Sequence, residues 1–332
     1  MFIIHNYSTA VVFCIITMLC WGSWANTQKL AAATWRFELF YWDYVLGILL
    51  FALSLAFTLG STGNGGRSFI ADISQASGAN IGSAILGGII FNAANILLGA
   101  AIAIAGMAVA FPVGIGLALV IGVVVNYIAS PVGNKGLLAA GVGLIVIAIL
   151  LNAFAYRRMQ AAGRHTSAKG LLLALIAGVL MGFFYKYVAA AMFSNFELPE
   201  PGKLSPYTAV VIFSVGILLS NFVFNTILMK RPFIGTPVDY ATWFKGSAKN
   251  HITGILGGAI WCLGMSFSII ASGRAGPAIS YGLGQGATII AALWGIFIWK
   301  EFRGAPKGTD AVIGAMLIFY LVGLGLLVYA GA

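Results

Sequence analysis

The sequence predicts an all-α integral membrane protein of ten transmembrane helices, arranged as two inverted five-helix repeats. Three observations carry this reading. Hydrophobic residues make up 61% of the 332-residue chain and charged residues 8%, against roughly 25% charged in a soluble domain. Apolar runs long enough to cross a bilayer, about 20 residues each, recur along the whole length. Finally, one stretch occurs twice: residues 85–128 and 255–298, overlaid at a fixed offset of 170 without a gap, share 12 of 44 residues. The matches include Ile85-Leu86-Gly87-Gly88 with Ile255-Leu256-Gly257-Gly258, Gly106 with Gly276, and Gly114 and Gly116 with Gly284 and Gly286. Glycine spacing kept across two hydrophobic segments and the turn between them marks an internal duplication.

Taken in order, span 1 covers about residues 8–27. It has no basic leader and runs through Trp21 and Trp24 without a cleavage signal, so it is read as a retained helix, not a signal peptide. Span 2 covers about 40–60, and spans 3 and 4, about 81–104 and 107–129, are the first copy of the duplication. Span 5, about 135–156, follows Lys135-Gly136 and ends at the polar break Arg157–Lys169. Spans 6 and 7 cover about 169–194 and 206–229, and spans 8 and 9, about 251–273 and 276–299, are the second copy. Span 10, about 309–330, follows Lys307-Gly308, an echo of Lys135-Gly136. Five spans on each side of the break divide the chain into 1–160 and 161–332. An odd number of helices per half turns the second half over in the membrane.

The net charge of +10 is a membrane-orientation signal here, not a nucleic-acid footprint, because the basic residues sit in short loops. The loops after spans 1, 5, 7 and 9 hold 13 of the 18 basic residues, and those on the opposite side hold four, Arg67, Lys135, Lys203 and Arg274. The positive-inside rule then places both termini outside, in a plasma (inner) membrane. Cys14, Cys20 and Cys262 lie in apolar runs and His5, His165 and His251 stand singly, so no metal or disulfide framework is expected. No hydrolytic or paired-carboxylate motif occurs, so an enzyme is not expected, nor is a cofactor. No loop is long enough for a nucleotide-driven motor domain. Of the longer loops, 61–80 is polar and rich in Gly and Ser, and 230–250 carries Tyr240, Trp243 and Phe244 as an interfacial segment.

Polar and aromatic residues inside apolar spans carry the functional information. Trp21 and Trp24 flank Gly22-Ser23 at the end of span 1. They are either an aromatic belt at the headgroups or a stacking wall for a flat or ring-shaped solute. Asn92 and Asn95, three apart, share a helix face; Tyr281 and Gln285 belong to the glycine cluster of span 9, and Trp261 to span 8. Each polar group alone reads as a helix-to-helix hydrogen bond; together they outline a cavity that hydrogen-bonds a neutral solute. Lys186 lies roughly 25 Å along span 6 from its basic end, and either snorkels to the outer surface or lines the cavity and takes part in coupling. Asp43 is a gate, a proton site or a helix N-terminal acid. Gly282-Leu283-Gly284-Gln285-Gly286 has no preceding strand, so it is read as close packing or a loosened helix, not a nucleotide loop.

These residues resemble the ureide permease family of the drug/metabolite transporter superfamily. The matching stretches are Trp21-Gly22-Ser23-Trp24, Tyr41-Trp42-Asp43-Tyr44, Gly87-Gly88 to Asn95 and on to Asn126-Tyr127, Ser205-Pro206-Tyr207-Thr208-Ala209, and Trp294-Gly295 through Lys300-Glu301-Phe302-Arg303. The central break is short where plant members carry a long loop. Gly22-Ser23-Trp24, the turn around Gly106 and Trp299-Lys300-Glu301-Phe302 are also similar to the rhamnose–proton symporter and glucose/ribose uptake families. The resemblance implies a secondary transporter that imports a small neutral solute, a ureide or oxo-nucleobase such as allantoin or uracil, together with protons. A monosaccharide is the second expectation and drug export a lower one. Trp21 and Trp24 would stack, Asn92, Asn95 and Gln285 would hydrogen-bond, Trp261 and Tyr281 would join them in binding the substrate, and Lys186 or Asp43 would titrate. The orientation is testable: alkaline phosphatase fused after Ala332 should be active, and a fusion within 230–250 inactive. The reverse pattern would refute the assignment.

Overall fold

The structure, a computed structural model, describes residues 1–63, 65–161, 167–300 and 302–332. Residues 162–166 of the central break, which include Arg164 and His165, lie outside these, as do Asn64 and Glu301. Among the described residues ten helices are long and apolar enough to cross a membrane: span 1 Tyr7–Ala31, span 2 Phe37–Phe57, span 3 Gly78–Ala105, span 4 Phe111–Ala129 and span 5 Lys135–Ala155, then span 6 Ala168–Ala191, span 7 Pro206–Lys230, span 8 Ala248–Ala275, span 9 Pro277–Ile298 and span 10 Thr309–Tyr329. The chain is an all-α, multi-pass membrane protein. Among the described residues the one strand-like pairing is a single bridge between Met192 and Leu204.

Two expected loops contain short helices. Phe69–Gln75 interrupts the polar segment after span 2, and Tyr240–Phe244 interrupts the one after span 7, capped by Asp239, whose Oδ1 accepts from the Thr242 N–H at 2.8 Å. Asp239 supplies the acceptor that the first N–H groups of a helix lack, whereas Ser68 makes no such cap and the Phe69 N–H donates instead to the Ser61 hydroxyl at 3.2 Å.

The duplication is visible from cap to cap. Span 3 opens at Ser77, whose hydroxyl accepts from the Asn80 N–H, and span 8 opens at Ser247, whose hydroxyl accepts from the Asn250 N–H, 170 residues later. The two helices end at Gly106 (φ 84°, ψ 163°) and Gly276 (φ 78°, ψ 154°), again 170 apart. That positive φ is open to glycine and strained for other residues, and it turns each chain directly into the next span.

Packing crosses between the halves. Spans 1 and 2 lie on span 8, and spans 6 and 7 lie on span 3. A Cβ on Gly258 would stand 1.9 Å from the Tyr44 carbonyl oxygen, and one on Gly88 2.1 Å from that of Phe213. Between apolar helices in lipid there is no hydrophobic force to gain, so small residues that let backbones touch are what hold the pairs. Spans 5 and 10 pack on each other and turn Leu150 and Ile318 outward to the lipid side. Both termini lie at one end of the bundle, where the Tyr7 hydroxyl donates to the Val328 carbonyl at 2.5 Å and the Asn134 N–H to that of Ala330 at 2.7 Å.

Gly258→Val should abolish the monodisperse peak of detergent-solubilised protein on size exclusion, because the branched side chain meets backbone and cannot be accommodated by a rotamer change. Gly314→Ala, where a Cβ meets nothing within 4 Å, should leave the peak unchanged. Equal behaviour of the two would show that the contact is not needed.

Candidate functional site

Three cavities follow one another along the bundle. The central one is small, about 20 Å³, and is walled by Trp21, Trp24 and Gln285 with Asn95, Phe91 and Trp261. That space is enough for roughly one water. Farther along the same helices toward the termini, Lys186 and Ser272 line a cavity of about 340 Å³. Toward the opposite end, Gln28, Trp35 and Glu38 line one of about 640 Å³.

The central wall is built from equivalent positions of the duplication. Phe91 and Trp261, 170 apart, meet with ring centroids 4.2 Å apart. Ile115 and Gln285, also 170 apart, both line the space, and each sits where its helix departs from α geometry. Phe111–Ile115 is a widened turn in which the Gly116 N–H reaches back to the Phe111 carbonyl. At Gln285-Gly286 span 9 tightens instead: the Gly286 N–H bonds the Leu283 carbonyl at 3.0 Å and the Ile289 N–H bonds that of Gly286 at 2.9 Å. Irregular helix turns recur where a helix lines a functional cavity.

Trp21 and Trp24 are 5% and 2% exposed, so they lie inside the bundle and do not form a headgroup belt. Trp21 stacks on Trp261 (5.8 Å, 9° between planes) and donates its N–H to the Trp261 carbonyl at 3.1 Å. By contrast, the Trp24 and Trp261 indole N–H groups make no hydrogen bond among the described residues, and both rings line the same space as Gln285. The Asn95 amide reaches the Tyr41 hydroxyl at 3.3 Å.

Three expected site residues are placed elsewhere. Asn92 faces spans 2 and 7: the Tyr41 hydroxyl donates to its Oδ1 at 2.9 Å, and its Nδ2 donates to Ser220 Oγ at 3.0 Å. Three residues on a helix are about 60° apart in direction, which suffices to send Asn95 to the cavity and Asn92 away from it. Tyr281 stands behind the wall, donating to the Met181 carbonyl at 2.7 Å and packing on Tyr185. The Tyr185 hydroxyl in turn joins Ser268 and Ser280 at 3.1 and 3.2 Å, a buried cluster between the central cavity and the termini-side one. Lys186 is half-buried in that termini-side cavity, apart from the tryptophans, with its ammonium 4.9 Å from the centre of the Tyr187 ring.

Asp43 is not a helix N-terminal acid. Glu38 occupies the first turn of span 2, and Asp43 is 1% exposed one and a half turns farther in. Its carboxylate accepts from Trp35 Nε1 at 2.8 Å and Trp243 Nε1 at 3.0 Å, and pairs with His251 Nδ1 at 2.7 Å. One buried acid thus ties together the turn after span 1, the short helix Tyr240–Phe244 and the start of span 8. Trp35 and His251 were missed as site candidates. The available signal was an acid in an apolar span with ring N–H groups clustered near the same membrane boundary, since a buried carboxylate needs donors. At this end Arg36 also donates to the Ile234 carbonyl at 3.0 Å and to that of Thr236, fastening the same loop. At the termini end Glu200 accepts from the Ser194 N–H and hydroxyl, each at 3.0 Å, which holds its carboxyl below the usual carboxylate range.

A ten-span bundle with aligned cavities on either side of a constricted, aromatic centre is the architecture of a membrane permease. The ureide permease family model matches residues 40–167 and 155–330, and the chain belongs to that family. The chain is 22% identical to Ureide permease 4 of Arabidopsis thaliana over 98% of both chains, and 22% identical to Ureide permease 1 of the same plant over 98% of both. The Glucose uptake protein GlcU of Bacillus subtilis (strain 168) is 26% identical over 52% of each chain. A solved crystal structure superimposes with a TM-score of 0.58 at 16% identity, covering 97% of this chain and 98% of its own, and shares the fold.

Asp43→Asn replaces one acceptor by a donor that faces N–H groups, costing about 2–3 kcal/mol at this clasp. A cysteine placed at Phe244 should then react faster with a water-soluble maleimide than in the Asp43 protein. Unchanged labelling would mean that the loop is held without the carboxylate.

Proposed function

We propose that the chain is a secondary transporter that imports a ureide or oxo-nucleobase such as allantoin or uracil across the inner membrane, coupled to protons. The observation that carries this reading is the aromatic wall of Trp21, Trp24, Phe91 and Trp261 that shares one space with the Asn95 and Gln285 amides. A flat, carbonyl-rich ring offers π-faces for the indoles and acceptors for their N–H groups. The family membership supports the solute class, since the named relatives are ureide permeases. About 20 Å³ is too small for such a ring, so this conformation is read as a constricted state, and loading requires the wall to open.

The two halves, 1–160 and 161–332, are read as inverted repeats rocking about the central cavity, with both termini outside. In this cycle the Asp43–His251 pair is the proton site. It sits at the basic-loop end of the pathway, where gain or loss of one proton changes how many ring N–H groups the carboxylate can hold, and so whether the loop after span 7 stays docked. A monosaccharide is the second reading, favoured by the half-length match to GlcU and by the stacking that sugars also make on indoles.

A thermal-shift screen of purified protein decides between them, since a ligand that binds the native state raises the midpoint. Allantoin or uracil should raise it and Trp24→Ala should remove the shift; a shift with monosaccharides alone would transfer the protein to sugar uptake. In cells, uptake should fall when the proton gradient is collapsed and should lose that dependence in Asp43→Asn. Uptake indifferent to the gradient would remove the coupling.

A further inference from the structure

The cavity at the termini end is chemically unlike the central one. Its lining includes Lys186, Lys203 and Arg274 and no carboxylate, whereas the central wall carries no charge. Two of the three cations are engaged. Arg274 donates to the Ile4 carbonyl at 3.1 Å and pairs with Glu197, and Lys203 donates to the Ala190 carbonyl. Lys186 differs: it makes no hydrogen bond or ion pair with any described residue, and its ammonium lies 4.9 and 5.7 Å from the ring centres of Tyr187 and Phe183. A half-buried ammonium without a counter-ion is disfavoured in a low-dielectric wall, and that cost is relieved by an anion. Asn126 stands in the same lining at 1% exposure. Its Nδ2 is spent on the Gly122 carbonyl at 2.8 Å, while its Oδ1 is buried with no partner, an acceptor in want of an N–H.

From these two unspent groups we infer that this cavity is an antechamber selective for solutes that carry a delocalised oxyanion beside amide N–H groups. The oxyanion is the carboxylate of an open-chain ureido acid or the ionised imide of an oxopurine. Lys186 binds the oxyanion, Asn126 accepts from the amide, and Arg274 and Lys203 add to a field that concentrates anions at the mouth. A neutral sugar or a neutral ureide gains nothing from the lysine. The inference rests on the permease reading above and assigns to Lys186 and Asn126 the recognition of the charged solutes within that class.

The test measures binding of allantoin (neutral), allantoate (carboxylate) and urate (acidic oxopurine) to the purified protein, to Lys186→Met and to Lys186→Arg. Lys186→Met should weaken the anion about tenfold and leave allantoin unchanged, and Lys186→Arg should restore the anion. Raising salt from about 50 to about 500 mM should weaken the anion and spare allantoin. Whichever of allantoate and urate responds identifies the oxyanion. Equal weakening of allantoin and the anions would make Lys186 a packing residue and overturn the proposal, as would anion binding indifferent to both substitution and salt. Binding of allantoin with neither anion bound removes only the antechamber. Binding of none of the three overturns the ureide reading and the antechamber together.

Discussion

With hydrocarbon on every side, these helices gain nothing by pressing leucine against leucine, so their association depends on how closely backbones can approach. Gly258 against the Tyr44 carbonyl and Gly88 against that of Phe213 are such approaches, one in each copy of the duplicated segment. They bring span 8 onto span 2 and span 3 onto span 7, so each copy is held by helices of the other half. The contact of Phe91 with Trp261 follows from that crossing, since it joins the midpoints of the two glycine-packed helices. A side chain at either glycine would separate the pair and move the wall of the central cavity with it.

The same solvent dictates how polar groups are spent, because one left unpaired inside the bundle has no water to turn to. Most are paired internally. The Thr17 hydroxyl donates to the Gly264 carbonyl at 2.8 Å, Asn92 is tied to Tyr41 and Ser220, and Tyr185 closes on two serines. Asp43 uses three ring N–H groups. The Trp24 and Trp261 indoles line the constricted centre, and Lys186 and Asn126 line the termini-side cavity. Other buried groups without a partner, the Asn221 amide, Tyr44, Ser266 and Tyr320 among them, lie outside both linings.

Much of the fold was legible from the chain alone, because hydropathy counts spans directly. The glycine offset of 170 predicted an equivalence that extends to the serine caps of spans 3 and 8 and to the turns at Gly106 and Gly276. Five expected residues, Trp21, Trp24, Asn95, Trp261 and Gln285, do share one wall. Depth along span 6 leaves Lys186 either among them or at the outer surface, and direction around the helix puts it in the termini-side cavity. The three-residue spacing of Asn92 and Asn95 predicts one shared face, but neighbouring helices take Asn92 to Tyr41 and Ser220. The Asp43 clasp is half legible in the chain: an acid stands out in an apolar span, but Trp35, Trp243 and His251 come from three separate stretches whose meeting no local pattern records.

The sequence by itself determined that this chain lives in a membrane, how many times it crosses, and that two of its hairpins share a glycine pattern at a fixed offset. Those properties depend on composition and spacing along one dimension. Only the tertiary structure decided which polar groups are paired within the protein and which line its cavities, because pairing is settled by rotation about each helix axis and by which helix lies opposite. Both are products of the packing and not of any one span.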